Sequence, residues 1–255
     1  MEIICYACGR GELPENTLEA IEHCQSVNAN WRIEMDINMT ADGEIILFHD
    51  QNTFRVTGKN NQVNNTRYED LLLLDVGHTF FGGQNKKSTT FRIPTLREVF
   101  EKYDTGQFVL DVHTEDLRCV PRIIQIVEHF RRQDSIVVVS KYDSVIESFK
   151  KIKPRWVYGA PSREAKRLVF SSFVFADRFY PIRSDILMLP YYSGKVKVLT
   201  RRVLNHVRRR GKQIWVWWFE GKTEAKTVDR QEEVTHMKNL GVEGIFTSCP
   251  ERISR

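Results

Sequence analysis

The chain has 255 residues, 41% hydrophobic and 28% charged, an ordinary globular composition with enough apolar mass for a full core. Its net charge of +5 suits an anionic small molecule or an anionic surface and is too weak to argue for nucleic acid. Five cysteines, odd in number and without a C-x-x-C pair, argue against a disulfide framework and against a zinc knuckle.

Short apolar runs predict strands near 3–8, 32–38, 107–113, 135–140, 156–159, 185–189, 213–218 and 243–247. Amphipathic patterns predict helices over 15–28, 95–104, 118–132, 143–151, 163–175, 196–210 and 230–239. Strands alternating with helices argue for a parallel sheet. About eight of them in roughly 250 residues argue for a (β/α)8 TIM barrel, with an open doubly wound sheet as the rival. Residues 50–92 are polar and too long for a connection, so they read as an inserted excursion after the second strand of a single domain spanning 1–255. Phe54, Phe80 and Phe81 within it either cover a substrate or pack the excursion down.

In the second strand, Glu34 and Asp36 are two residues apart, which puts both on one face, inside the barrel or at its mouth. Asp111 and His113 repeat the arrangement on the third. Acids facing a barrel interior are costly unless a cation or protons neutralise them. Three carboxylates late in successive strands make an oxygen-ligand site for a hard divalent cation, Mg2+ or Ca2+. His49 ends the apolar run 45–48 beside Asp50, a placement suited to proton transfer. His23, His129, His206 and His236 fall on helical patterns and read as surface residues.

Taken together these motifs resemble the glycerophosphodiester phosphodiesterases. Pro14-Glu15-Asn16-Thr17, Glu34-x-Asp36, Thr40-x-Asp42-Gly43, His49-Asp50, Arg55-x-Thr57-Gly58, Ile93-Pro94-Thr95-Leu96 and the run 241–247 followed by Pro250 match that family's signatures in order. The resemblance implies a TIM barrel that hydrolyses glycerophosphodiesters or lysophospholipids to an alcohol and a glycerol phosphate with a divalent cation. It assigns the cation to Glu34, Asp36 and Asp111, proton transfer to His49, and phosphate binding to Arg10.

The departures from the family are specific. Its opening His-Arg-Gly aligns with Gly9-Arg10-Gly11, which removes one catalytic histidine unless Cys8 reaches the same place. Its Glu-x-Lys on the third strand reads Asp111-x-His113, so His113 either substitutes for the lost histidine or fills the lysine's space. Its Ser-Phe after the fourth strand reads Lys141-Tyr142, and Lys141 restores a positive charge near the substrate. Its late Trp-Thr-Val-Asn reads Trp217-Trp218-Phe219-Glu220; Trp217 and Trp218 are core and rim residues or part of a cage for a quaternary ammonium. Ser248 replaces an aspartate. Losing a proton-transfer group costs about 10²- to 10⁴-fold in rate. The expectation is a slow or rebuilt hydrolase, with a pseudoenzyme that binds a phosphodiester or phospholipid headgroup as the alternative.

No stretch reaches the roughly 18 apolar residues of a membrane span, and no signal peptide precedes the first strand. The expectation is no transmembrane segment and a reducing, cytoplasmic compartment, in a chain that is whole or a trimmed or mature fragment. Oligomeric state is not readable from these residues.

Overall fold

Strand and helix alternate along the chain, and the eight barrel strands pair in parallel. The computed structural model describes residues 1–82, 90–217 and 226–255. Its first part contains β1 (Glu2–Cys5), α1 (Leu18–Val27), β2 (Arg32–Met39), β3 (Ile45–Leu47), α2 (Phe54–Thr57), α3 (Tyr68–Leu71) and α4 (Leu96–Lys102). Then come β4 (Gln107–Val112), α5 (Cys119–His129), β5 (Ile136–Val139), α6 (Asp143–Ile152), β6 (Val157–Tyr158) and α7 (Ser162–Phe173). The last part holds β7 (Ile186–Pro190), β8 (Tyr192–Ser193), β9 (Val196–Lys197), α8 (Arg201–Arg208), β10 (Gln213–Trp217), α9 (Gln231–Leu240), β11 (Gly244–Thr247) and α10 (Pro250–Ser254).

The parallel strands run in the order β6-β5-β4-β2-β1-β11-β10-β7. A parallel bridge between Gly159 and Ile186 joins the two ends. The result is a (β/α)8 barrel, and the closure excludes the open sheet. Gly159 is needed at that seam, because a Cβ there would lie 2.5 Å from the Val139 side chain.

Side chains alternate across each strand. Ile33, Met35 and Ile37 of β2, with Phe108, Leu110 and Val112 of β4, face the helices. Ile4, Val109, Val137, Val139, Ile186, Trp215 and Phe246 fill the interior. Trp215 is the largest of the fully buried side chains. Arg32 stacks on it at 5.5 Å and pairs with Glu2 at 2.9 Å, so this cation sits by the strand starts, away from the acids.

Thr17 and Thr95 cap α1 and α4 through their hydroxyls, and Glu98 completes a capping box on α4. Between β2 and α4, β3 pairs antiparallel with β2, and the segment that follows packs around Ile46, Val63, Leu71 and Ile93 as a satellite core. Phe81 packs against that core, whereas Phe54 and Phe80 are exposed. The polar run 83–89 lies outside the described residues.

Two readings are corrected. The helix expected from residue 196 starts at Arg201, where Thr200 accepts a hydrogen bond from Val203 N; residues 192–197 instead form the β8–β9 hairpin, which turns at Gly194 with φ 58°. His206 is buried at 3% exposure, its Nδ1 3.3 Å from the Asp177 carboxylate. Among the described residues no helix is long and apolar enough to cross a membrane.

Trp215→Ala removes the plug of the barrel interior. It is expected to cost about 3–5 kcal/mol, a large part of a typical total stability, and urea unfolding of the purified variant checks it.

Candidate active site

Strand alternation turns Glu34 and Asp36, the third and fifth residues of β2, toward the barrel interior. Parallel register sets Asp36 directly beside Asp111 of β4. Carboxylate oxygens of Glu34, Asp36 and Asp111 lie within 4.8 Å of one another. Glu34 and Asp36 are each only 1% exposed. Three negative charges this close in a buried place repel strongly, and the chain compensates them one by one.

For Glu34, Ala7 N–H donates to Oε2 at 2.5 Å. The donor is aimed by the turn after β1, in which Ala7 and Cys8 take left-handed φ of 44° and 59°. Burial, and then the charges of Asp36 and Asp111, still push the Glu34 carboxyl well above its ordinary value. For Asp36, Asn16 donates to Oδ2 at 2.7 Å and accepts from Asp36 N at 3.0 Å. Its other oxygen, Oδ1, lies 3.0 Å from His113 Nε2, but the approach is out of line, and neither atom makes a directed hydrogen bond. Burial opposes ionisation of Asp36, yet His113, His49 and Asn16 hold it below the usual carboxylate range. His113 Nε2 is also 3.4 Å from Asp111. Burial would lower His113, but Asp111 and Asp36 outweigh it and raise the ring to about 11.

These residues fit a hard divalent cation. The donor set is three carboxylates, and a buried Asp36 oxygen without a directed donor faces the same space. His49 and His113 also approach Asp36 closely enough to share an ion with it.

His49 is held from behind. Its Nδ1 lies 2.6 Å from Asp50 Oδ1, and an N–H donated there leaves Nε2 as the proton-accepting nitrogen. Arg55 donates to Asp50 Oδ2 at 2.6 Å and to both oxygens of Glu15 at 3.0 and 2.5 Å. The His49 and His113 rings are 4.4 Å apart. Burial works against the Asp50 charge, but His49 and Arg55 bring its pKa down to about 2.

A cavity of about 650 Å³ opens over the acids. Glu34, Asp36, Asp111, His49, His113, Lys141 and Trp217 all line it. Lys141 is exposed at its rim, with the ammonium 4.9 Å from the Tyr142 ring. Trp218, Phe219 and Glu220 lie outside the described residues.

The turn after β1 differs from expectation. Gly9 has φ 78°, and a Cβ there would meet Cys24 Sγ at 3.0 Å and a Pro250 carbon at 3.2 Å, neither of which lines the cavity. Arg10 is also outside the lining; its guanidinium stacks over the Tyr6 ring at 5.5 Å and lies 4.0 Å from Glu15. Cys8 is fully buried and outside the lining, its thiol directed at Glu34 O and its pKa pushed up by burial. The side chain that enters the cavity from this turn is Tyr6. Burial and the nearby Glu34 and Asp36 charges keep its phenol protonated. Sequence reasoning missed Tyr6 because it follows a four-residue strand in an apolar run; the signal available was its position immediately after β1. Asn16 and Glu15 were visible as part of a motif, but not as the clamps on Asp36 and Arg55. Ser248 is structural, with its N–H on Asp229 and its hydroxyl 2.7 Å from Thr227.

Residues 9–252 match the Glycerophosphoryl diester phosphodiesterase family. The chain is 24% identical to a glycerophosphodiester phosphodiesterase of Caldanaerobacter subterraneus, covering 98% of this chain and 95% of that one. It is 22% identical to human lysophospholipase D GDPD1, covering 98% of this chain and 84% of that one. A solved Oleispira antarctica phosphodiesterase in complex with the product sn-glycerol-3-phosphate superposes with a TM-score of 0.75 at 20% identity, over 99% of this chain and 95% of the other. The phosphodiesterase domain of Mycobacterium tuberculosis Rv2277c gives 0.78 at 13% identity, over 99% and 97%.

The Asp50 shift has a definite sign. A folded-state pKa below the ordinary value stabilises the fold above about pH 4, and that contribution fades as pH falls toward 2. Thermal unfolding of wild type and Asp50→Asn across this window should therefore show a stability gap that is full near neutrality and shrinks in acid.

Proposed function

Because the chain belongs to the glycerophosphoryl diester phosphodiesterase family, we propose that it hydrolyses a glycerophosphodiester or a lysophospholipid, releasing an alcohol and a glycerol phosphate, with a divalent cation. As a member of that family it is a phosphoric diester hydrolase. The observation that carries the reading is the convergence of Glu34, Asp36 and Asp111 beneath a cavity that His49 also enters.

Glu34, Asp36 and Asp111 would hold the cation. Such an ion supplies charge neutralisation and polarisation at a phosphate oxygen. The chain's own residues then divide the remaining work. His49, oriented through Nδ1 by Asp50, offers Nε2 for the proton of the attacking hydroxyl. Arg55 and Glu15 keep Asp50 in place. Tyr6 takes the part of the absent first histidine as a hydroxyl donor to the phosphate or the leaving oxygen, since it enters the cavity and stays protonated. Lys141 adds positive charge at the rim. Arg10 acts through its stack on Tyr6, and Trp217 forms part of the wall. His113 is a charged neighbour of Asp36 and Asp111 and takes the space of the family's lysine.

Turnover of glycerophosphocholine and lysophosphatidylcholine is expected with Mg2+ or Ca2+ and absent in EDTA. Glu34→Ala/Asp36→Ala should abolish both turnover and cation binding, the latter read by calorimetry. A folded, cation-loaded protein with no turnover on either substrate would refute hydrolysis for these substrates and leave headgroup binding.

His49→Ala should cost about 10²- to 10⁴-fold in kcat. Tyr6→Phe should cost a smaller factor, on the order of 10- to 100-fold, with KM nearly unchanged if the hydroxyl acts mainly in the transition state. Steady-state kinetics at saturating cation separates the two roles.

A further inference from the structure

The cavity mouth has a polar and an apolar side. The polar side carries His49, Asp111, His113 and Lys141; α7 and the β8–β9 hairpin form a mainly apolar one, to which Lys166 and Ser162 of α7 and Ser193 of β8 also contribute. On α7, Arg163, Arg167, Phe170 and Val174 are spaced by three or four residues and therefore share one face, with Val174 at the C-cap. The face is basic at its start and apolar at its end. Phe170 is 66% exposed and Val174 53%. Phe175 follows at 73% exposure, held at φ 58°, a left-handed conformation costly for a bulky side chain. Phe175 packs its ring against the Arg202 guanidinium at 4.3 Å yet stays exposed, and with Phe170 and Val174 it forms an apolar patch of the kind that marks an interaction surface.

This patch is continuous with the mouth. Phe170 and the half-exposed Phe173 also line the cavity, as does the exposed Val196 of β9. Cations bracket it. Lys195 and Lys197 are exposed on the hairpin, and Arg163 and Arg167 border a second cleft together with Lys150, Lys151 and Arg183 and the acids Asp143, Glu147 and Glu164, Arg163 lying 4.0 Å from Asp143. An apolar strip flanked by Lys and Arg, on a chain of net charge +5, is complementary to a bilayer with anionic headgroups.

We infer that the α7 face docks the protein on an anionic lipid bilayer. Phe170, Val174 and Phe175 enter the boundary between headgroups and acyl chains, and the flanking Lys and Arg meet the lipid's negative charges. The cavity mouth then opens onto the membrane surface. The inference concerns binding, so it is tested without turnover and fails or stands separately from the hydrolysis proposed above.

The test is flotation of the full chain with vesicles of phosphatidylcholine, alone or with roughly one-third phosphatidylserine. Anionic vesicles are expected to bind at least about tenfold more tightly, with the preference weakened by salt. Phe170→Ser/Phe175→Ser should lower that binding about tenfold or more, and Arg163→Glu/Arg167→Glu should erase the preference for phosphatidylserine. Equal binding to both vesicle types, or undiminished binding by the phenylalanine variant, overturns the inference. So does light scattering that finds a wild-type dimer and a monomeric phenylalanine variant, which would make the face a contact with a second copy. Melting curves check folding; if the phenylalanine variant is destabilised, the charge-reversal variant alone decides.

Discussion

Repulsion among Glu34, Asp36 and Asp111 is the constraint around which the rest of the site is arranged. Strand alternation and parallel register deliver these acids to one small volume, and nothing in a barrel of Val, Ile and Trp can solvate them. Each neighbouring loop therefore contributes a compensating group. The turn after β1 contributes the Ala7 N–H, the entry to α1 contributes Asn16, and the end of β4 contributes His113. The left-handed backbone at Ala7, Cys8 and Asn16 is a local cost of aiming those donors, offset by interactions with buried charge. Even so, Asp36 Oδ1 keeps no directed donor.

A second set of charges orders the loops around this centre. Arg55, from the segment after β3, reaches both Asp50 beside His49 and Glu15 before α1. Its fork makes paired contacts that fix geometry as well as charge. The imidazole is thus oriented by a network tied to two separate loops, so its posture depends on how the inserted segment packs. That packing rests on the satellite core around Val63, Leu71 and Ile93, which gives the insertion a positioning role distant from the chemistry.

The parts of this arrangement that were legible in the sequence follow simple periodicity. A spacing of two on a strand is enough to put Glu34 beside Asp36, and the same rule finds Asp111. His49 is legible because it ends an apolar run. The turn after β1 was not legible, because Ala7 and Cys8 adopt left-handed conformations that their residue types do not announce; the chain thereby turns Gly9 away and admits Tyr6. The β8–β9 hairpin did have a signal, the period-two alternation of Lys195-Val196-Lys197-Val198, but it is too short to stand apart from the helical pattern that follows it. His206 was misread because its partner Asp177 lies on another segment, and no pattern local to α8 reveals a burial created by tertiary contact.

The polarity of the cavity limits how a substrate can enter it. Its acids, histidines and Lys141 arise from β2 to β5 and the turns that follow them, while Val169, Leu189 and Val198, with Lys166, on and around α7 and β7 to β9, line the opposite wall. A phosphodiester turned toward that wall would find one exposed cation, Lys166, among side chains that otherwise offer it no compensation for lost hydration. Turned toward the polar side, the same group meets His49, His113 and Lys141, and any apolar portion of the molecule then lies along the wall that leads out past Phe170 and Phe173.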